Sequence, residues 1–396
     1  MNRALGLLTA AVVAGIAMTA VLLWRFDATS ATPEMRAYAA SFDHPRTHAE
    51  GLIDGMDGQA FGEIALDPGM THAAARFGSP AAAAYREARP VYGWVAFIAS
   101  AHGGAARVAD ALLVLSVLSV SFLAAAAALL ARQLGRPWAA GALVALLPGA
   151  VITVFSPGSA DAFGCALAIL ALALWLDEHP RSAIVLFSVA ALSRETLLLF
   201  PLTLAAWELW SHRPALALRL TVPVGVYCAW VAIVFVRVGA LPIDAREGRL
   251  GLPFVGLMHA VGHWSPLSAK VALSLVALTI IAAARLQRPV LRLLVAAHVV
   301  LATLLGELVW LSWRDFSRVL LPLAVLGAVL CWPAAQADDA PAVDVDDGVA
   351  GTAVSSIAAS RRRIAVPTAA GGWSPSTVTS SPSSASQSSA GRVSDS

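Results

Sequence analysis

Stretches of about 20 apolar residues recur along this chain, and no other feature limits its folding as strongly. Crossing about 30 Å of hydrocarbon on an α-helix takes about 20 residues. Runs near that length lie at residues 4–24, 109–131, 137–155, 160–176, 182–193, 196–211, 216–237, 266–284, 290–312 and 317–333. Within lipid every backbone N–H and C=O must be satisfied inside the element, so such runs are expected as helices. Composition agrees. The chain is 58% hydrophobic and 13% charged, where a soluble domain carries about a quarter charged residues. The predicted fold is an all-α polytopic membrane protein of about ten transmembrane helices, with eight to eleven as the range. The fifth and sixth runs meet at Ser193-Arg194-Glu195, either as two short helices with a tight turn or as one interrupted hairpin. The first run is too long for the h-region of a signal peptide, and the DATSATP after it is a mediocre cleavage site, so it is read as an uncleaved anchor.

Basic residues favour cytoplasmic loops. With the N-terminus inside, the inner loops are RQLGRP, DEHPR, SHRPALALR and RLQRPVLR, and each carries arginine. The outer connection SPGSAD carries none, although WRDFSR, also outside, has two. An even number of spans then places both termini in the cytoplasm of a multi-pass plasma-membrane protein, with residues 25–108 outside. A net charge of +2 gives no basis for a nucleic-acid partner, leaving membrane lipids as the general surroundings. Cys165, Cys228 and Cys331 sit in or at apolar runs and read as small hydrophobes. Abundant alanine and arginine, with Lys270 the lone lysine, suit a GC-rich actinobacterial genome. Residues 1–333 form the membrane domain. Residues 334–396 form a Ser- and Ala-rich cytoplasmic tail expected to be disordered, its Arg361–Arg363 cluster solvated or touching anionic lipid.

The large first loop, roughly 84 residues, is too long for a simple connection. It opens with IDGMDGQAFGEIALDPGM, residues 53–70, whose Asp54, Asp57, Glu63 and Asp67 have no basic residue among them. Asp57 can act as a helix N-cap and Asp54 as a turn residue. Clustered carboxylates are also typical of metal or acid–base sites. Phe61, Ile64 and Ala65 share one helical face, and Pro68 stops that helix. Downstream, AAAAYREARPVYGWVAFIAS offers Tyr85, Tyr92 and Trp94 as membrane-interface aromatics on short amphipathic helices. Tyr85 with Arg86 and Arg89, and Arg318 at the last span, suit either lipid phosphates in general or one particular phosphate. Arg194-Glu195 is either a self-neutralising turn or a functional pair, and Glu307 is a second acid within an apolar run. His44 and His48, four apart, read as solvated loop residues.

These residues carry a resemblance. MDGQAFGEIALDP is similar to the "YDGQFYYxIAxDP" pattern of bacterial members of the GT-C superfamily, integral-membrane glycosyltransferases that use polyprenyl-phosphate sugars. It is more distantly similar to the "WDxxxFxxIA" of GPI mannosyltransferases. YREARPVYG resembles "YRYGRxxYP", and ALSRET and FSRVLLP resemble the later "LTRE" and "RxLLP" segments. Met56, Ala60 and Gly93 depart from the pattern. The resemblance implies inverting transfer of mannose or another hexose or pentose to an envelope glycan or glycolipid acceptor. It makes Asp57 the catalytic base and Asp54 its helper, orienting the acceptor or sharing a divalent cation (Mg or Mn) with Asp57. Arg86, Arg89, Arg194 and, more weakly, Arg318 are the phosphate candidates, since guanidinium pairs with phosphate oxygens and stays charged. Tyr85 and Glu195 complete the substrate set. A transporter or flippase of a lipid-linked or small anionic substrate, and an inactive scaffold in envelope assembly, are the competing readings.

Overall fold

The computed structural model describes residues 3–30, 47–53, 57–245 and 250–333. Asp54, Met56, His44, the side chain of His48 and the whole 334–396 tail lie outside the described residues. Within them the chain is helical and forms no strand; a single isolated bridge joins Leu250 to Leu305. Four helices are long and apolar enough to cross a membrane: Ala4–Arg25, Ala105–Gln133, Pro214–Val238 and Pro266–Arg285. Shorter apolar helices lie at Asp161–Leu176, Pro180–Ser193, Pro289–Leu304 and Leu321–Cys331.

Proline sets many of these starts. Pro148, Pro180, Pro214, Pro266 and Pro289 each open a helix, where a fixed φ helps and the missing N–H is no loss. The same residue breaks the expected 137–155 helix. Leu147, just before Pro148, is driven to an extended ψ of 138°. The run 290–312 is also broken. The helix Pro289–Leu304 ends, Leu305 and Gly306 are extended, and Glu307–Trp310 starts again. Its freed carbonyls are not orphaned, because Gly251 N donates to Leu304 O at 2.9 Å and Phe254 N to Thr303 O at 2.7 Å. The runs at 182–193 and 196–211 form two helices, Pro180–Ser193 and Leu199–Trp210, joined by extended Arg194 and a 3-10 turn Glu195–Leu198.

The described part of the first loop is five short helices: His48–Ile53, Asp57–Leu66, Ala73–Arg76, Pro80–Glu87 and Val91–Ala99. Phe61, Ile64, Tyr92 and Ala96 pack with Leu52 and Ile53 onto Val108, Ala109 and Leu112, the first turns of Ala105–Gln133. Burying such side chains contributes about 1.5–3 kcal/mol each for the larger ones. Gly93 permits this approach, because a Cβ there would fall 2.5 Å from Ile64 Cγ2. Tyr92 is fully buried, edge-on to Phe61 at 5.3 Å, and Tyr85 is 4% exposed. Neither is an interface aromatic, as the sequence suggested. Only Trp94 stays partly open, edge-on to Trp230 at 5.0 Å.

Candidate functional site

Asp57 opens the helix Asp57–Leu66. Its carboxylate is gripped by arginines from two other elements. Arg86 Nη1 donates to Oδ1 at 2.7 Å, and Arg318 Nη2 donates to Oδ2. The neighbouring Gly58 explains how a distant segment reaches this point. The backbone of 157–158 crosses the start of the helix so closely that a Cβ on Gly58 would lie 2.3 Å from Pro157 O. Gly158, at φ +90°, is held there as its N–H donates to Ser116 Oγ at 2.8 Å. Three residues on, Asp161 opens the helix Asp161–Leu176 and is almost fully buried. Arg318 Nε donates to its Oδ2, the Ser159 hydroxyl donates to the same oxygen, and Arg194 pairs with Oδ1. One guanidinium, that of Arg318, therefore joins the two aspartates.

Beside this chain lies a second pair. Arg89 grips Glu195 with Nε and Nη2 at 2.6 and 2.7 Å, its Nη2 also donates to Tyr85 Oη at 2.7 Å, and its guanidinium stands 4.5 Å from the Tyr85 ring centre. A cavity of about 620 Å³ opens in front of Asp57, walled by Arg86 and Arg318 and by Glu63, Arg76, Arg314 and Asp315. Arg194, Arg89, Tyr85 and Glu195 are not on its wall. Arg194 is bound to Asp161 instead, and Arg89, Tyr85 and Glu195 bind one another.

Of the described acids in the opening stretch, Asp57 and Glu63 are compensated through space by distant arginines, and Asp67 is satisfied locally. Glu63 pairs with Arg76. Asp67 accepts from Thr71 N, Thr71 Oγ1 and His72 N at 3.0, 2.7 and 2.6 Å, which ties off the turn after the helix. Burial alone would push the Asp57 carboxyl up, but Arg318 and Arg86 outweigh it and hold it well below the usual carboxylate range. For Arg89, burial pulls down and the Glu195 carboxylate pulls up, and the net direction is up. Glu307, the other acid expected within an apolar run, is half exposed with Oε2 3.5 Å from His259 Nδ1, so no arginine partners it as an ion pair among the described residues.

A divalent cation does not fit what is described. Both Asp57 oxygens face guanidinium groups, and no group of three or more His, Cys, Asp or Glu positioned for a metal occurs among the described residues. Asp54, the other expected ligand, lies outside them.

Glu87 behaves in the opposite way to Asp57. Burial, with Asp67 beside it and Arg76 opposing, pushes its carboxyl up to about 8. A raised folded-state value means that the folded chain binds more protons, so Glu87's contribution is fully present below its ordinary value of 4.5 and is lost as pH rises through about 8. Glu87→Gln is expected to raise the thermal unfolding midpoint at pH 8.5 more than at pH 5. Equal shifts at both pH values would contradict the assignment.

Asp161, Arg76 and Arg314 went unread in the sequence. The signal for Asp161 was present: a lone acid at the start of the apolar run 160–176, where an unpaired charge is costly. Its partners, 33 and 157 positions away by number, were not visible. Comparison with protein-family models, with curated proteins and with solved structures found no match to this chain.

Proposed function

We propose that this protein is an inverting glycosyltransferase of GT-C type. It moves a sugar from a polyprenyl-phosphate donor to an envelope glycan or glycolipid acceptor at the outer face of the membrane. The observation that carries this is the arginine-walled cavity in front of Asp57. About ten spans, with both termini cytoplasmic, put that cavity on the outer side.

Charge supports the donor class. On the cavity wall and just behind it, the five arginines Arg76, Arg86, Arg194, Arg314 and Arg318 face the four carboxylates of Asp57, Glu63, Asp161 and Asp315, leaving one positive charge. A polyprenyl phosphosugar is a phosphodiester with one negative charge. As its phosphate enters, it competes for Arg86 and Arg318 and loosens their hold on Asp57, whose affinity for a proton rises. The acceptor oxygen attacks the anomeric carbon, the bond from that carbon to the phosphate oxygen breaks, and Asp57 takes the hydroxyl proton. The leaving polyprenyl phosphate becomes a dianion as the site gains one positive charge, so arginines placed beforehand stabilise the charge where it develops.

Arg86 is the more exposed of the two gripping arginines and, among the described residues, pairs with Asp57 alone. Arg86→Gln is expected to raise the donor KM about 10- to 100-fold, the scale of one charge-assisted hydrogen bond, and to change the acceptor KM little. Equal changes in both would remove Arg86 from the donor site. Mass spectrometry of lipid-linked and envelope glycans, with and without the protein, tests the function. The expected result is a missing glycan residue together with accumulated polyprenyl phosphosugar; unchanged glycans would overturn it.

A further inference from the structure

Arg318 reaches two aspartates through hydrogen bonds with one planar group, while its Nη1 lies a looser 3.9 Å from Asp315 Oδ1, on its own helix. Its Nη2 edge reaches Asp57 at the cavity, and its Nε edge reaches Asp161 behind it. A guanidinium on a long side chain left alone with one carboxylate settles on it through two parallel hydrogen bonds. Asp161 prevents that by holding the other edge. It is itself fixed at three points, by Arg194 from the end of Pro180–Ser193, by the Ser159 hydroxyl, and by its place at the start of Asp161–Leu176. It does not line the cavity. We propose that Asp161 is a positioning residue: it holds Arg318 by the Nε edge so that the remaining N–H groups are shared between Asp57 and an arriving phosphate.

This rests on reading the cavity as a prenyl-phosphate site. The sign of the effect separates two roles. A mere counter-charge competes with phosphate for Arg318, so its removal tightens anion binding. A positioning group improves the geometry of Arg318, so its removal weakens binding.

The test is a binding cycle on the full chain in detergent, with farnesyl phosphate as the probe and thermal unfolding as the check on folding. Asp161→Asn is expected to weaken farnesyl phosphate binding about tenfold, within the range for members of one ion-pair network. In an Arg318→Gln background the same change should have no further effect, because the group it positions is gone. A loss that persists in that background marks general damage to the fold and overturns the positioning role, as does tighter binding or none lost. Ser159→Ala removes one donor to Asp161 and leaves every charge in place, so it serves if Asp161→Asn does not fold. It should weaken binding about threefold, again only when Arg318 is present; an unchanged affinity, or a loss that persists without Arg318, overturns the proposal. A wild-type chain that does not bind farnesyl phosphate overturns the donor reading and the positioning role together, whereas binding with no Asp161 dependence overturns the positioning role alone.

Discussion

Asp57→Asn should leave a folded protein that binds prenyl phosphate as well as the wild type or better, and that transfers sugar about a thousandfold more slowly. The rate loss is the usual scale for removing a general base. Folding survives because Arg318 keeps its bond to Asp161 and Arg86 is partly open to solvent. Binding survives because the carboxylate that competed with phosphate for both arginines is gone. The combination is informative. A simple structural lesion would lower folding, binding and transfer together. An Asn variant with full activity would remove Asp57 from the chemistry.

Gly158→Ala is the second large effect. Position 158 has φ +90°, and a Cβ there would stand 2.4 Å from Gly58 Cα. Strain for an L-residue in that region costs about 1–2 kcal/mol, and forcing an extra methyl into a packed contact adds about 1–3 kcal/mol. The loop 156–161 must lift from the start of the Asp57 helix, taking Asp161 and the Nε edge of Arg318 with it. The expected result is a thermal midpoint lowered by several degrees, with transfer falling toward background. A variant with wild-type stability and activity would mean that the crossing of 157–158 over Gly58 does not hold the site.

Apolar runs are legible because hydrophobicity is written position by position, and the proline starts are legible because proline acts on its own backbone and its neighbour's. The break at Leu305-Gly306 is different. It is stabilised by N–H groups from 251 and 254, some fifty residues earlier, and nothing in residues 290–312 announces it. The aromatics show the same limit. Tyr85 and Tyr92 have the amphipathic character of interface residues, but Arg89 claims the hydroxyl of one and a packed helix pair buries the other.

For the site, the resemblance singled out Asp57, and the structure places it at the cavity with Arg86 and Arg318. Arg194 and Arg89, which sequence chemistry favoured as phosphate ligands, are committed to Asp161 and Glu195. Their roles depend on partners about 33 and 106 positions away, and charge type alone cannot separate a ligand from its brace.

The most direct measurement uses the purified protein in liposomes, given the lipid extract of cells that lack it, with wild type and Asp57→Asn compared. Mass spectrometry follows three species: polyprenyl phosphosugar, polyprenyl monophosphate and glycosylated acceptor. Loss of the first, matched by equal gain of the other two and absent with Asp57→Asn, is the predicted result. Movement of the phosphosugar across the bilayer with no polyprenyl monophosphate released would make the protein a transporter and contradict the account.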